Sequence, residues 1–364
     1  MKIRVLVVLL ALAVVIAMLA GCGKKEDTGT EAGADAEADA EAEADAEAGA
    51  DAETDAGEEA HDTTPINIVA LKGPTAMGMI EMMSKAEEGT LDGHEYSFQL
   101  LAAPDEVAPL IIQGKADIAA VPANLASVIF NKTEGGVQVI NVNTLGVIYI
   151  VEKGESITGV SALKGKTIYA SGQGATPEYA LRFILSENGI DPDSDVTIEW
   201  KSEHAECLSA LMESEDAIAM LPQPFVTTAM TKAEGLRVAL DLTEEWDKTK
   251  AGSEQGSQLI TGVTIVRKEF AEEHPEAVDD FLAHYAESVE FVNASVAEAA
   301  QMIEHFDIVP APVAEKAIPE CNIVCVTGGA MKDALSGYLG VLAEQNPQAV
   351  GGQVPTDDFY YISE

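Results

Sequence analysis

The sequence predicts an α/β protein built as two similar lobes, each a mixed, mainly parallel sheet flanked by helices, with two strands carrying the chain between them. Three observations predict it. From Pro65 onward, strand-like and helix-like segments alternate at lengths that suit parallel strands joined by crossover helices. The same order then runs again one hundred positions later, with Ile68 and Ile168, Gly89 and Gly189, Glu106 and Glu206, Ile118 and Ile218, and Pro122 and Pro222 in matching places. Finally, two look-alike strands, Gly146-Val147-Ile148-Tyr149-Ile150-Val151 and Gly262-Val263-Thr264-Ile265-Val266, flank the second copy.

Two segments precede the repeat. Residues 1–21 begin with Lys2 and Arg4, continue as an apolar run and end in Leu19-Ala20-Gly21 before Cys22. A positive start, a short apolar stretch and small residues before a cut describe a secretory signal. An apolar run over 5–20 spans about 24 Å as a helix, short of the ~30 Å hydrocarbon core that the alternative, a transmembrane anchor, requires. Residues 22–63 hold 16 acids and two lysines in a background of Ala and Gly. No aromatic or branched apolar residue occurs between Glu26 and Asp62, so burial cannot offset the chain entropy there. An extended, self-repelling tether is expected. Over the whole chain 62 acids face 21 bases, a net charge of −41. Such a field excludes a nucleic-acid partner and opposes docking on anionic lipid by charge alone.

In the first copy of the repeat, 66–70 reads as a strand, 72–75 as a turn and 76–87 as a helix. Strand 96–100, helix 105–113 and strand 116–121 follow; Pro122-Ala123-Asn124 closes the last, and 125–131 is helical. In the second copy, 167–170 is a strand, 171–175 a Gly-rich turn and 177–187 a helix with Pro177 in its first turn. Strand 196–200, helix 203–213 and strand 217–221 complete it. Helices at 275–292, 296–305 and 331–344 return to finish the first lobe. Residues 64–150 and 264–364 therefore form lobe one and 151–263 lobe two, and the two joining strands form a hinge.

Ligands of open α/β sheets bind beyond the carboxyl ends of the strands. That rule nominates Gly73, Pro74, Thr75 and Met77 after the first strand, and Asn124 after the third. In lobe two it nominates Gly172, Gln173, Gly174, Ala175 and Thr176, then Gln223 and Phe225. The Gly172–Thr176 turn would offer N–H donors at a helix start, or serve only as a turn with Thr176 as its cap. Gln223 and Asn124 both donate and accept, although Asn124 also suits a simple turn. Met77, Tyr179 and Phe225 would supply apolar walls or belong to the core. For an enzyme reading, His204 beside Glu203 and Glu206 is the nearest thing to a catalytic cluster, and phosphate-loop and nucleophile-elbow motifs are absent. Neither metal nor cofactor is expected. Cys321 and Cys325 are too far apart along a strand for a disulfide, and with Cys207 they read as packed or free thiols.

The Leu-Ala-Gly-Cys ending resembles the bacterial lipobox, which implies cleavage before Cys22 and a lipid anchor on its sulfur. "VAPLIIQGKADIAAVP", "ALKGKTIYASGQGATPEYALRFIL" and "PQPFVT" resemble signatures of the nitrate/sulfonate/taurine-type substrate-binding proteins of ABC importers, over about residues 65–305. The resemblance implies a type II periplasmic-binding-protein-like fold and a monomer held at the extracytoplasmic face of the cell membrane. It would capture a small organic solute between its lobes and deliver it to a permease and ATPase, without chemistry. The same superfamily includes pyrimidine-synthesis and menaquinone-pathway enzymes, so an enzyme of this fold, or a sensory lipoprotein, is the alternative.

Overall fold

The computed structural model describes residues 63–213, 216–253 and 256–362. The signal segment, Cys22 and almost all of the acidic tether lie outside the described residues. Among the described residues eleven strands form two sheets within one compact unit. They are β1 (Pro65–Leu71), β2 (Glu95–Leu101), β3 (Ile118–Pro122), β4 (Val137–Leu145), β5 (Ile148–Lys153), β6 (Thr167–Ser171), β7 (Thr197–Lys201), β8 (Ile218–Pro222), β9 (Leu236–Asp241), β10 (Ile260–Arg267) and β11 (Ile323–Val326). The first sheet has the order β11-β4-β10-β3-β1-β2 and the second β7-β6-β8-β5-β9. Both are mixed: β1, β2 and β3 run parallel in one, β6, β7 and β8 in the other.

The repeat in the sequence is a repeat in space. Ile68 pairs with Ile118 across β1 and β3, and Ile168 pairs with Ile218 across β6 and β8. Gly89 and Gly189 sit just beyond helices Ile80–Glu88 and Thr176–Glu187, at φ 68° and 72°, a left-handed conformation that favours glycine. Glu106 accepts the N–H of Ala103 at 3.0 Å and Glu206 that of Ser202 at 2.9 Å, so in each copy a glutamate at the matching position holds the chain entering the helix after the second strand.

Alternation of side chains along the strands gives the first sheet two apolar faces. Val69, Val121, Val139 and Ile265 belong to one core, shared with helices Ala123–Lys132 and Gly328–Gln345. Ile66, Ile68, Ile118 and Ile140 belong to the other, under helices Ile80–Glu88 and Pro275–Ala294, where Phe281 and Tyr285 are fully buried.

The joining strands differ from expectation. β5 lies wholly in the second sheet, antiparallel to β8 and β9, and β10 wholly in the first, antiparallel to β3 and β4. Each is paired on both sides, so neither can serve as a connector that leaves one sheet for the other. The chain crosses instead at 146–147, between β4 and β5, and over 242–259, between β9 and β10. The divisions expected at 150/151 and 263/264 therefore fall inside strands. At the first crossing Asn322 Nδ2 donates to the Gly146 carbonyl at 2.5 Å, and at the second Trp246 is fully buried against Phe183 and Tyr338.

Candidate functional site

The carboxyl ends of the second sheet's parallel strands face the first lobe. Tyrosine hydroxyls bridge the lobes there. The Tyr149 hydroxyl donates to the Glu320 carbonyl at 3.0 Å. The Tyr338 hydroxyl, on the last long helix, donates to Thr176 Oγ1, also at 3.0 Å.

Beside the first contact opens a cavity of about 480 Å³, within the range of small-molecule sites. Lobe two contributes Tyr149 from the start of β5, Gln223 just after β8 and Asp241 at the end of β9. Thr227 and Thr231 line it from helix Phe225–Lys232, and Val226, Met230 and Val238 form an apolar wall. Lys316 and Glu320 close it from across the gap.

Gln223 is only 4% exposed, and its position is fixed at three points. Its N–H donates to the Val147 carbonyl at 2.9 Å, and its Oε1 accepts from the Thr227 N–H at 3.3 Å and the Thr227 hydroxyl at 2.9 Å. With Oε1 so engaged, the amide is oriented and Nε2 is left without a partner among the described residues: two fixed donors at the cavity wall. Asp241 uses one oxygen to cap helix Leu242–Asp247, accepting the Thr243 N–H at 2.8 Å. Its second oxygen makes no hydrogen bond. Burial first, then the carboxylates of Asp241 and Glu320, pushes the Tyr149 phenol well above its ordinary range, so the hydroxyl stays protonated in a negative field.

Of the residues nominated from sequence, Gln223 lines this cavity, and Phe225 begins the helix behind it. Phe225 is half-buried, with its ring 5.1 Å from that of His204. His204 Nδ1 lies 2.5 Å from Ser171 Oγ, and burial pushes its pKa down to about 4, so the ring is neutral at pH 7. It links the ends of β6 and β8 rather than forming a charged cluster with Glu203 and Glu206. Met77 is 0% exposed, inside the core of lobe one, and provides no cleft wall. Tyr179 and Thr176 are buried against the last helix and its end: Tyr338 donates to Thr176, and Asn346 Nδ2 to the Tyr179 hydroxyl at 3.5 Å.

Gly172, Gln173, Gly174 and Ala175 remain accessible, but the Gly174 N–H already donates to Glu178 Oε2 at 2.7 Å and the Ala175 N–H to the Gly172 carbonyl at 3.1 Å. Gly73 starts the short helix Pro74–Met77, its carbonyl accepting the N–H groups of Ala76 and Met77. The Thr75 hydroxyl donates back to the Leu71 carbonyl at 3.0 Å. Asn124 is buried, with Nδ2 on the Ala349 carbonyl at 3.4 Å. The three cysteines of the described residues are unpaired thiols, Cys207 and Cys321 buried and Cys325 half-buried.

Sequence reasoning missed Tyr149, Thr227, Asp241, Lys316 and Glu320. Thr227 and Tyr149 were within reach of the repeat and of strand alternation. Lys316 and Glu320 carry no local signal, because only the packing of the returning chain brings them opposite β8.

The cavity lined by both lobes is of the size that a small solute fills. Residues 81–311 match the family described as "ABC transporter, phosphonate, periplasmic substrate-binding protein". That match covers more than half of the chain, and the chain belongs to this family. No curated protein matches it. Among solved structures, an ABC transporter from Parabacteroides distasonis is 22% identical with a TM-score of 0.69, over 82% of this chain and 99% of that one. The periplasmic aliphatic sulphonate binding protein SsuA from Escherichia coli is 15% identical with a TM-score of 0.65, over 80% of this chain and 94% of that one. The periplasmic nitrate-binding protein NrtA from Synechocystis PCC 6803 is 12% identical with a TM-score of 0.51, over 69% of each. At these identities the likeness to each structure is one of fold. The chain is thus the extracytoplasmic substrate-binding component of an ABC importer for small solutes, in a family that binds without catalysis. Among the described residues no helix is long and apolar enough to cross a membrane.

Proposed function

We propose that the protein is a lipoprotein, anchored through Cys22, which holds a small organic solute in the cavity between Gln223 and Glu320 and passes it to the permease and ATPase of its importer. The single observation that carries the site is the Gln223 amide. It is buried, oriented by Thr227, and left with free donors in a cavity that both lobes line. The residue is held in place while its Nε2 stays accessible at the cavity wall, so a ligand acceptor would meet a donor whose direction is already set. Gly73, Pro74, Thr75, Asn124, Gly172 and Gln173 would border the cleft rather than clasp the solute. The acidic tether sets the distance from the membrane.

Two experiments test this. Native mass spectrometry of the purified protein should find a small molecule bound, and Gln223→Ala should lose it. Cys22→Ala should leave the precursor uncleaved and absent from the lipidated membrane fraction. Retention of the molecule by Gln223→Ala would move the site, and normal lipidation of Cys22→Ala would remove the anchor.

A further inference from the structure

Resting on that placement of the solute, we infer that the cavity selects a small organic cation, an ammonium compound with a hydrogen-bond acceptor at its other end. The arginines of the described residues, and the lysine beside the first cleft turn, are already engaged. Arg182 is paired with Glu178 and Asp193, Arg237 with Glu152, and Arg267 with Asp117 and Glu269. Lys72, beside the β1 turn, is held by the Asp307 carboxylate at 2.9 Å and the Asp307 carbonyl at 2.7 Å. At the start of helix Thr176–Glu187, Glu178 itself occupies the position an anionic ligand would take, accepting the Gly174 N–H. A bidentate arginine clamp, the usual device for phosphonate or sulfonate groups, is absent from the cavity lining.

The lining offers the opposite chemistry. The carboxylates of Asp241 and Glu320 stand near the Tyr149 hydroxyl against the single ammonium of Lys316, which lies exposed at the rim without an ion pair. An ammonium group set near Asp241 would find its free oxygen, and the Tyr149 ring would offer a π face. Val226, Met230 and Val238 would cover the carbon body, and the Gln223 Nε2 donors would meet the acceptor. The net charge of −41 would also draw cations toward the cleft.

The test is binding by the mature protein, read by thermal shift and calorimetry. One panel contains ethanolamine, choline and glycine betaine; the other contains alkylsulfonates, methylphosphonate and nitrate. At least one ammonium compound should bind. Its affinity should fall about tenfold or more in Asp241→Asn, which keeps the helix cap, and again in Gln223→Ala. No binding by any ammonium compound overturns the inference, as does ammonium binding unchanged in both Asp241→Asn and Glu320→Gln. An anion whose binding is lost in Gln223→Ala overturns the charge class while leaving the cavity as the solute site. A solute of either sign whose binding ignores both Gln223→Ala and Tyr149→Phe overturns the site and the inference together.

Discussion

Gly146→Ala should destabilise the protein by wedging apart its two interlobe crossings. A Cβ on Gly146 would lie 2.1 Å from Thr243 Oγ1, 3.0 Å from Thr243 Cβ and 3.1 Å from Leu259 Cδ2. Thr243 and Leu259 both belong to the second crossing, so the crossings touch at this one glycine. Gly146 does not have the left-handed φ that strains other residues, and the effect is therefore steric. Turning the Thr243 side chain relieves only part of this. One rotation puts Cγ2 where Oγ1 stood and the other puts a hydrogen there, but the branch point stays at 3.0 Å and Leu259 Cδ2 at 3.1 Å. Inserting a methyl group into a packed site of this kind costs about 1–3 kcal/mol. At about 2–4 °C per kcal/mol for a domain of a few hundred residues, a cost of ~2 kcal/mol lowers Tm by about 4–8 °C. The assay is urea denaturation of the wild type, Gly146→Ala, Thr243→Ala and the double variant. The Thr243 hydroxyl is buried without a partner, so Thr243→Ala alone should be close to neutral. The double variant should regain at least about 1 kcal/mol relative to additivity. A Gly146→Ala cost below about 0.5 kcal/mol, or an additive double variant, would refute the reasoning.

Acid should weaken the fold through two groups in turn. His204 has its pKa lowered from 6.5 to about 4 by burial, so the unfolded chain binds its proton more readily, and stability falls as pH drops from about 6.5 toward 4. His204→Asn should flatten that part of a stability–pH curve. Burial alone would raise the Glu152 carboxyl, but the N–H of Ile157, the hydroxyl and N–H of Ser156 and the Arg237 guanidinium outweigh it and hold the group below the usual carboxylate range. Its contribution is complete above the unfolded pKa and is lost as pH falls through the folded one, and Arg237→Gln should shrink it while costing about 1–2 kcal/mol at pH 7 in urea unfolding, since the guanidinium is partly screened by solvent. Tyr338→Phe removes the hydroxyl that donates to Thr176. It should cost about 0.5–1.5 kcal/mol, an effect that vanishes when Thr176 is replaced by Val as well.

The parts of the fold legible in the sequence were those set by local period and capping. Ile68 and Ile168 announce paired strands, Gly89 and Gly189 end helices, and Glu106 and Glu206 start them, all within a few residues of where they act. The crossings were misread because strand direction has no local signature. β5 and β10 are rich in Val and Ile like the parallel strands beside them, and only their pairing partners reveal antiparallel insertions. The site divides in the same way. Gln223 stands out because Pro222 and Pro224 fix a loop at the end of a strand. Met77 and Tyr179 did not declare their direction, since the face a helix buries depends on what packs against it. Lys316 and Glu320 depend on a return of the chain after nearly a hundred residues.

The repeat also explains why the groove along helix Phe225–Lys232 is open while its counterpart along helix Ala123–Lys132 is filled. In lobe one, Ser127 and Asn131 on helix Ala123–Lys132 each donate to the Val350 carbonyl at 2.7 Å, and Asn131 donates to the Gln353 carbonyl at 2.8 Å. The segment after the last helix thus lies along that face. It comes so close that a Cβ on Gly351 would meet Val128 Cα at 3.0 Å, and Gly351 takes a φ of 84° to do so. One hundred positions later Thr227 and Thr231 stand in the same places on helix Phe225–Lys232, and both line the open cavity. Duplicated lobes carry two equivalent grooves, and this chain has one C-terminal return with which to fill them. The filled groove gives Ser127 and Asn131 their partners within the protein. The open one leaves the Gln223 donors facing the cavity, and that asymmetry is what the proposed solute site rests on.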